Sequence, residues 1–221
     1  MSVEMVSDST FQKSVIDVSQ EKLVVVEFST KEKLNKRGEP NASAKMDLVI
    51  DGLDAQYAGE IEFFRVEVNL VWDYSDPQKP MAKDDLNPAA SSAYEINHGP
   101  TLVFLLEGER VQENLLGFYD EASTRLKLDE LLKDLNSRLL KIKLFRFIEE
   151  QINLAAQRVI TKKSAQLDDI AYGKLGVFLG LRRTLQNDAT AQDIGMLDAM
   201  NDSLQCLGVL GKGETILERI K

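Results

Sequence analysis

Leu23-Val24-Val25-Val26-Glu27-Phe28 is an almost unbroken apolar run, rich in β-branched residues and of the length expected for a strand buried on both faces. Such a strand must be covered by helices on either side, so the run commits its part of the chain to an α/β sheet. The neighbouring sequence supplies the covers. Ser2 to Val6 alternates like a short strand, and any of Ser7, Asp8, Ser9 and Thr10 can cap a helix over about residues 8–18 with Phe11, Val15 and Val18 on its apolar stripe. Ser29 to Lys45 is polar and reads as a loop. Met46 to Tyr57, with Leu48, Val49, Leu53 and Tyr57 at helical spacing, reads as the next helix. Ile61 to Asn69 follows as a second strand. Val71 to Ala90 carries Trp72, Tyr74, Pro77, Pro80 and Pro88 and reads as a long loop, a kind of segment that is usually functional or mobile.

Thr101 to Leu106, a turn at Gly108 and Val111 to Tyr119 read as a hairpin, with Gly108 supplying the positive φ of a tight turn. Beyond it the pattern changes period. Leu128, Leu131, Leu132, Leu135, Leu139 and Ile142, then Phe145, Ile148, Ile152 and Val159, fit one helix of about forty residues or two collinear ones. From about Asn136 there is neither proline nor a strand pattern. Ser164 and Thr190 are candidate caps for helices near 167–185 and 191–207, with Asp193 placed to complete the cap at Thr190, and a short helix is expected from Glu214. Gly173, Gly176 and Gly180 interrupt the first of these helices and imply a close crossing or a kink. The expected architecture is therefore an α/β domain at 1–135 followed by an all-α domain at 136–221, joined through a long helix.

Composition narrows the chemistry. With one Cys and one His in 221 residues, the chain cannot form an internal disulfide, a CxxC pair, a Cys₄ zinc site or a multi-histidine metal centre, so no metal and no cofactor are expected. A net charge of −9 argues against nucleic acid as a partner. No apolar run reaches ~18 residues, which argues against a membrane span, and the opening residues lack the pattern of a signal peptide, so a cytoplasmic location is expected. Gly208 to Thr215 has the wrong spacing for a phosphate loop. Cys206 is expected to be a buried core thiol, the usual fate of a reduced cysteine. The charge is unevenly divided: 14 Lys/Arg stand against 26 Asp/Glu up to Asn136, and 13 against 10 beyond it.

Three segments carry a resemblance. Val6-Ser7-Asp8-Ser9-Thr10-Phe11, Val24-Val25-Val26-Glu27-Phe28 and, above all, Tyr94-Glu95-Ile96-Asn97-His98-Gly99-Pro100-Thr101-Leu102 occur in the order and spacing of the thioredoxin-like superfamily. The resemblance implies a thioredoxin-like sandwich, a central mixed sheet flanked by helices, with a cis proline at Pro100. It also implies a loop after Phe28 where thioredoxins carry their cysteine pair. Here Lys33 and Lys36 fall at about those positions, a degenerate active-site loop, and an ammonium cannot perform thiol–disulfide exchange. Glu27 takes the place of the family's acid beside the cysteines and is expected to be a half-buried or solvated carboxylate.

In the family, backbone next to the cis proline pairs with an extended segment of a partner. The implied function is a non-enzymatic protein-interaction or chaperone-like adaptor, with another protein or an extended peptide as partner and a homodimer as a further expectation. Candidate partner-binding residues are His98, Gly99, Pro100 and Thr101 at the edge, and Trp72 and Tyr74 in the loop, since interface hot spots favour Trp and Tyr. His98 is the one side chain there with an ordinary pKa near neutrality. Two other readings stay open: a glutathione-transferase-like enzyme using Ser29 or Thr30 as the donor to a bound thiol, and a structural subunit of a larger assembly. Redox-inactive disulfide-isomerase relatives, which follow a cysteine-poor thioredoxin domain with a helical one, are similar in domain order only.

Overall fold

A computed structural model describes residues 3–73, 81–161 and 169–218, with backbone alone at residues 72, 73, 81 and 82. The chain divides into two compact units, Met1–Asp134 and Leu135–Lys221. The first holds a mixed β-sheet with flanking helices, and the second is helical.

In the first unit, strand β1 (Glu4–Val6) leads into α1, a helix made of Asp8–Phe11, a π-helical stretch Gln12–Ile16, and Asp17–Ser19. Strand β2 (Leu23–Thr30) is the centre of the sheet. It pairs in parallel with β3 (Ile61–Val68) on one side and antiparallel with β6 (Thr101–Leu106) on the other. β1 extends the sheet beyond β3, while β7 (Glu109–Arg110) and β8 (Leu115–Leu116) extend it beyond β6. Seven of the eight residues of β2 are buried, as its apolar run requires. Alternation along the strand separates two layers. Val24, Val26 and Phe28 join Phe64, Val66, Val103 and Leu105 in one core, packed with Phe11 and Val15 of α1. Val25, Glu27 and Ser29 therefore point to the opposite face.

That opposite face is covered by α2 (Ala42–Gln56), which starts one turn earlier than the apolar spacing suggested because Asn41 caps it, its side chain accepting from the Ala44 N–H at 2.9 Å. The buried stripe is Met46, Ile50, Leu53 and Tyr57, not the expected one through Leu48, which is 74% exposed. The shift of phase turns Asp47 and Asp51 toward the sheet. Helix α4 (Glu121–Asp134) is tied to the end of α2 by the Tyr57 hydroxyl, which donates to Asp129 at 2.5 Å.

The expected long loop over 71–90 is corrected. A two-stranded antiparallel ribbon, β4 (Leu70–Asp73) and β5 (Met81–Asp84), stands there, followed by the short helix α3 (Pro88–Ala93). Four-residue strands carry no usable periodicity, and a buried carboxylate organises the segment instead. Asp84 accepts from the backbone of Asn69, Leu86 and Asn87 and from the Ser91 hydroxyl. Asp8 caps α3 from a distance in sequence, accepting from the Ala89 and Ala90 N–H groups at 2.9 Å each.

The second unit contains α5 (Asn136–Thr161), α6 (Asp169–Leu185) and α7 (Ala191–Cys206). Where a forty-residue helix was one expectation, α4 and α5 are separate, with Leu135 between them. The candidate cap Ser164 lies outside the described residues. The cap at Thr190 forms as its spacing implied: Thr190 Oγ1 accepts from the Asp193 N–H, and Asp193 accepts from the Thr190 N–H. Asp193 also receives both arms of Arg183, at 2.7 and 2.8 Å, which locks the end of α6 to the start of α7. No α-helix starts at Glu214: turns follow it, and a 3-10 helical residue appears only at Glu218, the last described residue. Cys206 is exposed, a correction to the expected buried thiol: it is the last residue of α7 and sits beside Leu207, which is 75% exposed.

The glycines of α6 differ in kind. A Cβ at Gly180 would meet Asp193 Oδ1 at 2.7 Å and the Met196 methyl at 3.1 Å, so α7 approaches closely there. Gly173 has nothing within 4 Å of that position. Gly173→Ala is accordingly expected to stabilise the helical unit by up to about 1 kcal/mol through helix propensity, and Gly180→Ala to destabilise it by about 1–3 kcal/mol. Urea unfolding followed by circular dichroism checks the opposite signs.

Candidate functional site

Gly99 and Pro100 precede β6, joined by a cis peptide bond. Pro100 is buried, and its carbonyl accepts from the Gly117 N–H at 2.8 Å. Thr101 is buried, and its hydroxyl donates to the His98 carbonyl at 2.8 Å, closing the turn. Gly99 itself is half-buried. No hydrogen bond to its N–H or C=O occurs among the described residues. The His98 ring is exposed and pairs with the neighbouring Asn97 side chain.

The segment after β2 lies directly against this turn. A Cβ on Gly99 would stand 2.6 Å from the Thr30 methyl, 3.3 Å from the Thr30 nitrogen and 3.5 Å from Ser43 Oγ, so a glycine is what lets the two strands of backbone approach. Ser43, in the first turn of α2, accepts from the Thr30 N–H at 3.1 Å. From Lys31 the chain forms an ordered reverse turn. Leu34 bridges to Pro40, the Asn35 side chain accepts from the Arg37 and Glu39 N–H groups, and the Asn41 N–H donates to the Lys33 carbonyl. Lys36 and Arg37 stand exposed at its tip.

Beneath the loop lies a charged cluster that sequence reasoning missed in part. Glu27 and Arg65 are register partners on β2 and β3, both on the α2 face of the sheet. Arg65 is 8% exposed and Glu27 fully buried, where a half-buried or solvated carboxylate was expected; that expectation is corrected by its central-strand position under α2. Arg65 Nε donates to Glu27 at 2.7 Å and lies 3.4 Å from Asp47, and its other arm reaches Asp51 at 3.2 Å and the Asp47 carbonyl at 3.0 Å. Asp47 is shared: Lys33 Nζ bonds it at 2.7 Å and Ser29 Oγ donates to it at 2.5 Å. Lys33 also donates to Ser29 at 2.7 Å. The position expected to belong to a degenerate active-site loop is thus a strut into the sheet.

The electrostatics follow from burial. Desolvation outweighs the attraction of Arg65, aided by the nearby charge of Asp47, and pushes the Glu27 carboxyl up to about 8. Its Oε1 has no hydrogen-bond partner, so a single bond from Arg65 supports the charged form. Burial acts in the same direction on Asp47 but loses there, because Lys33, Ser29 and Arg65 together hold that carboxyl below its ordinary value.

Of the sequence-predicted residues, His98, Gly99, Pro100 and Thr101 form the turn, Lys33 points into the cluster of Asp47 and Ser29, and Lys36 is exposed at the tip of the loop. Trp72 lies in β4 rather than in a loop, and its side chain, like all of Tyr74, lies outside the described residues. Ser29, a candidate thiol-ligand donor, is buried and bonded to both Asp47 and Lys33. The residues missed were Arg65, Asp47 and Asp51. The signal available for Arg65 was a lone cation inside a strand run, with Glu27 in the neighbouring one. Among the described residues no three His, Cys, Asp or Glu side chains are placed to hold a metal ion, and no helix is long and apolar enough to cross a membrane. Neither a protein-family model nor a curated protein matches the chain.

Because Glu27 binds its proton more tightly when folded than when unfolded, its contribution to folding stability is lost as the pH rises from 4.5 toward about 8. Glu27→Gln removes that proton uptake, and its stability-versus-pH profile is expected to be flatter than wild type across this window, as urea titrations at a series of pH values would read.

Proposed function

We propose that the chain is a redox-inactive, thioredoxin-like adaptor that holds an extended segment of a partner protein by main-chain pairing at Gly99. The observation that carries this reading is the half-buried Gly99 just before β6, whose N–H and C=O have no hydrogen-bond partner among the described residues. An extended segment bound there would gain main-chain hydrogen bonds without competing with the sheet's own ladder. The strand order β1-β3-β2-β6-β7, with β6 the antiparallel neighbour of the central strand, supports the thioredoxin-like reading. So does the cis bond before Pro100. The function proposed is binding and not catalysis: the loop after β2 holds lysines where a thiolate would be needed, and Ser29 is occupied by Asp47 and Lys33. This weighs against the glutathione-transferase-like reading as well.

Amide hydrogen exchange read by NMR tests the proposal. The Gly99 amide should exchange rapidly in the free protein and slow at least about tenfold when an extended peptide is bound, the protection expected of a newly made backbone hydrogen bond. Binding that leaves Gly99 as fast as before would contradict it.

A further inference from the structure

We infer that the segment captured at Gly99 is acidic; the inference rests on the proposed edge and adds the chemistry of its occupant. The loop that abuts the edge is a basic island on an acidic unit. Between Ser29 and Lys45 the chain carries Lys31, Lys33, Lys36, Arg37 and Lys45 against Glu32 and Glu39. Lys33 is spent on Asp47 and Ser29. Lys31, Lys36, Arg37 and Lys45 are exposed, and none of them has an ion-pair partner among the described residues.

The loop that carries these cations begins next to a residue that touches Gly99. Lys31 follows Thr30, the residue in contact with Gly99, and Lys45 sits in the first turn of α2 two residues after Ser43, which touches the same glycine. The reverse turn that holds Lys36 and Arg37 is pinned by the Asn35 and Asn41 side chains, so the charges are presented on an ordered scaffold. Leu34, 51% exposed, adds an apolar contact in the middle of the island.

The rest of the unit does not cancel this attraction. Exposed charges act within a Debye length of about 8 Å at physiological ionic strength, so a segment that runs from Gly99 over the loop meets its cations, while the remaining carboxylates repel it elsewhere. The two effects together favour one landing place. Glu32 and Glu39 weaken the island without reversing it. Complementary charge of this kind sets specificity and encounter rate, while the main-chain bonds hold the segment extended.

The test uses the full chain and three fluorescein-labelled peptides that alternate valine with glutamate, threonine or lysine, read by anisotropy at ionic strengths of about 0.02 M and about 0.3 M. The glutamate peptide should bind at least about tenfold tighter than the threonine peptide at the lower salt, weaken at the higher salt, and protect the Gly99 amide. Lys36→Glu/Arg37→Glu should weaken the glutamate peptide by about tenfold and leave the threonine peptide unchanged, as reversal of two exposed charges implies. Equal affinity for the glutamate and threonine peptides, both protecting Gly99, would overturn the acidic preference and leave the edge reading standing. Tight binding of the glutamate peptide without protection of Gly99 would overturn the inference by placing the segment elsewhere. Failure of all three peptides to protect Gly99 would remove the edge reading and this inference together.

Discussion

The Arg65 guanidinium, inserted between the sheet and α2, is the interaction on which this end of the α/β unit depends. A lone cation at 8% exposure would be costly; here it faces Glu27, Asp47 and Asp51 and also bonds the Asp47 carbonyl. One side chain thereby connects β2, β3 and α2. Because three carboxylates surround one guanidinium, the cluster needs a second cation or a proton. Lys33 supplies the cation at Asp47, and Glu27 keeps the proton to an unusually high pH.

That balance ties the base of the loop to the sheet, while the Asn35 and Asn41 side chains pin the turn itself. Asp47 divides its oxygens between the sheet's Arg65 and the loop's Lys33, with Ser29 bonded to both Asp47 and Lys33. The loop is then held against the turn at Gly99, whose missing side chain provides the space. Among the described residues, the N–H and C=O of Gly99 have no hydrogen-bond partner and the exposed cations of the loop have no ion-pair partner, features that support the proposed recognition of an extended segment.

Much of the fold could be read from hydrophobic patterning. The run at residues 23–28 gave the central strand, and the change to a 3.6-residue period gave the helical half. The cap at Thr190 was legible because Thr190 and Asp193 have the reciprocal spacing that such a cap needs. The failures share a physical cause: a few tertiary contacts overrode local pattern. Asp84 gathers four donors and turns an apparent loop into a ribbon and a short helix. Asn41 starts α2 a turn early and rotates its buried stripe, and that rotation presents Asp47 and Asp51 to Arg65. The turn at Gly99 and the loop lysines were visible as sequence. Their relation to Arg65 was not, because it depends on strand register, and a register of β2 against β3 cannot be taken from either strand alone.

Backbone amide exchange across residues 31–41 in an Asp47→Ala protein tests most directly whether the charged cluster is what holds the loop. Loss of charge-assisted bonds to Lys33 and Ser29 predicts that the Asn35, Gly38 and Asn41 amides exchange about tenfold faster or more, while the amides of β2 and β3 keep their protection. Wild-type protection across the loop in that variant would contradict the account.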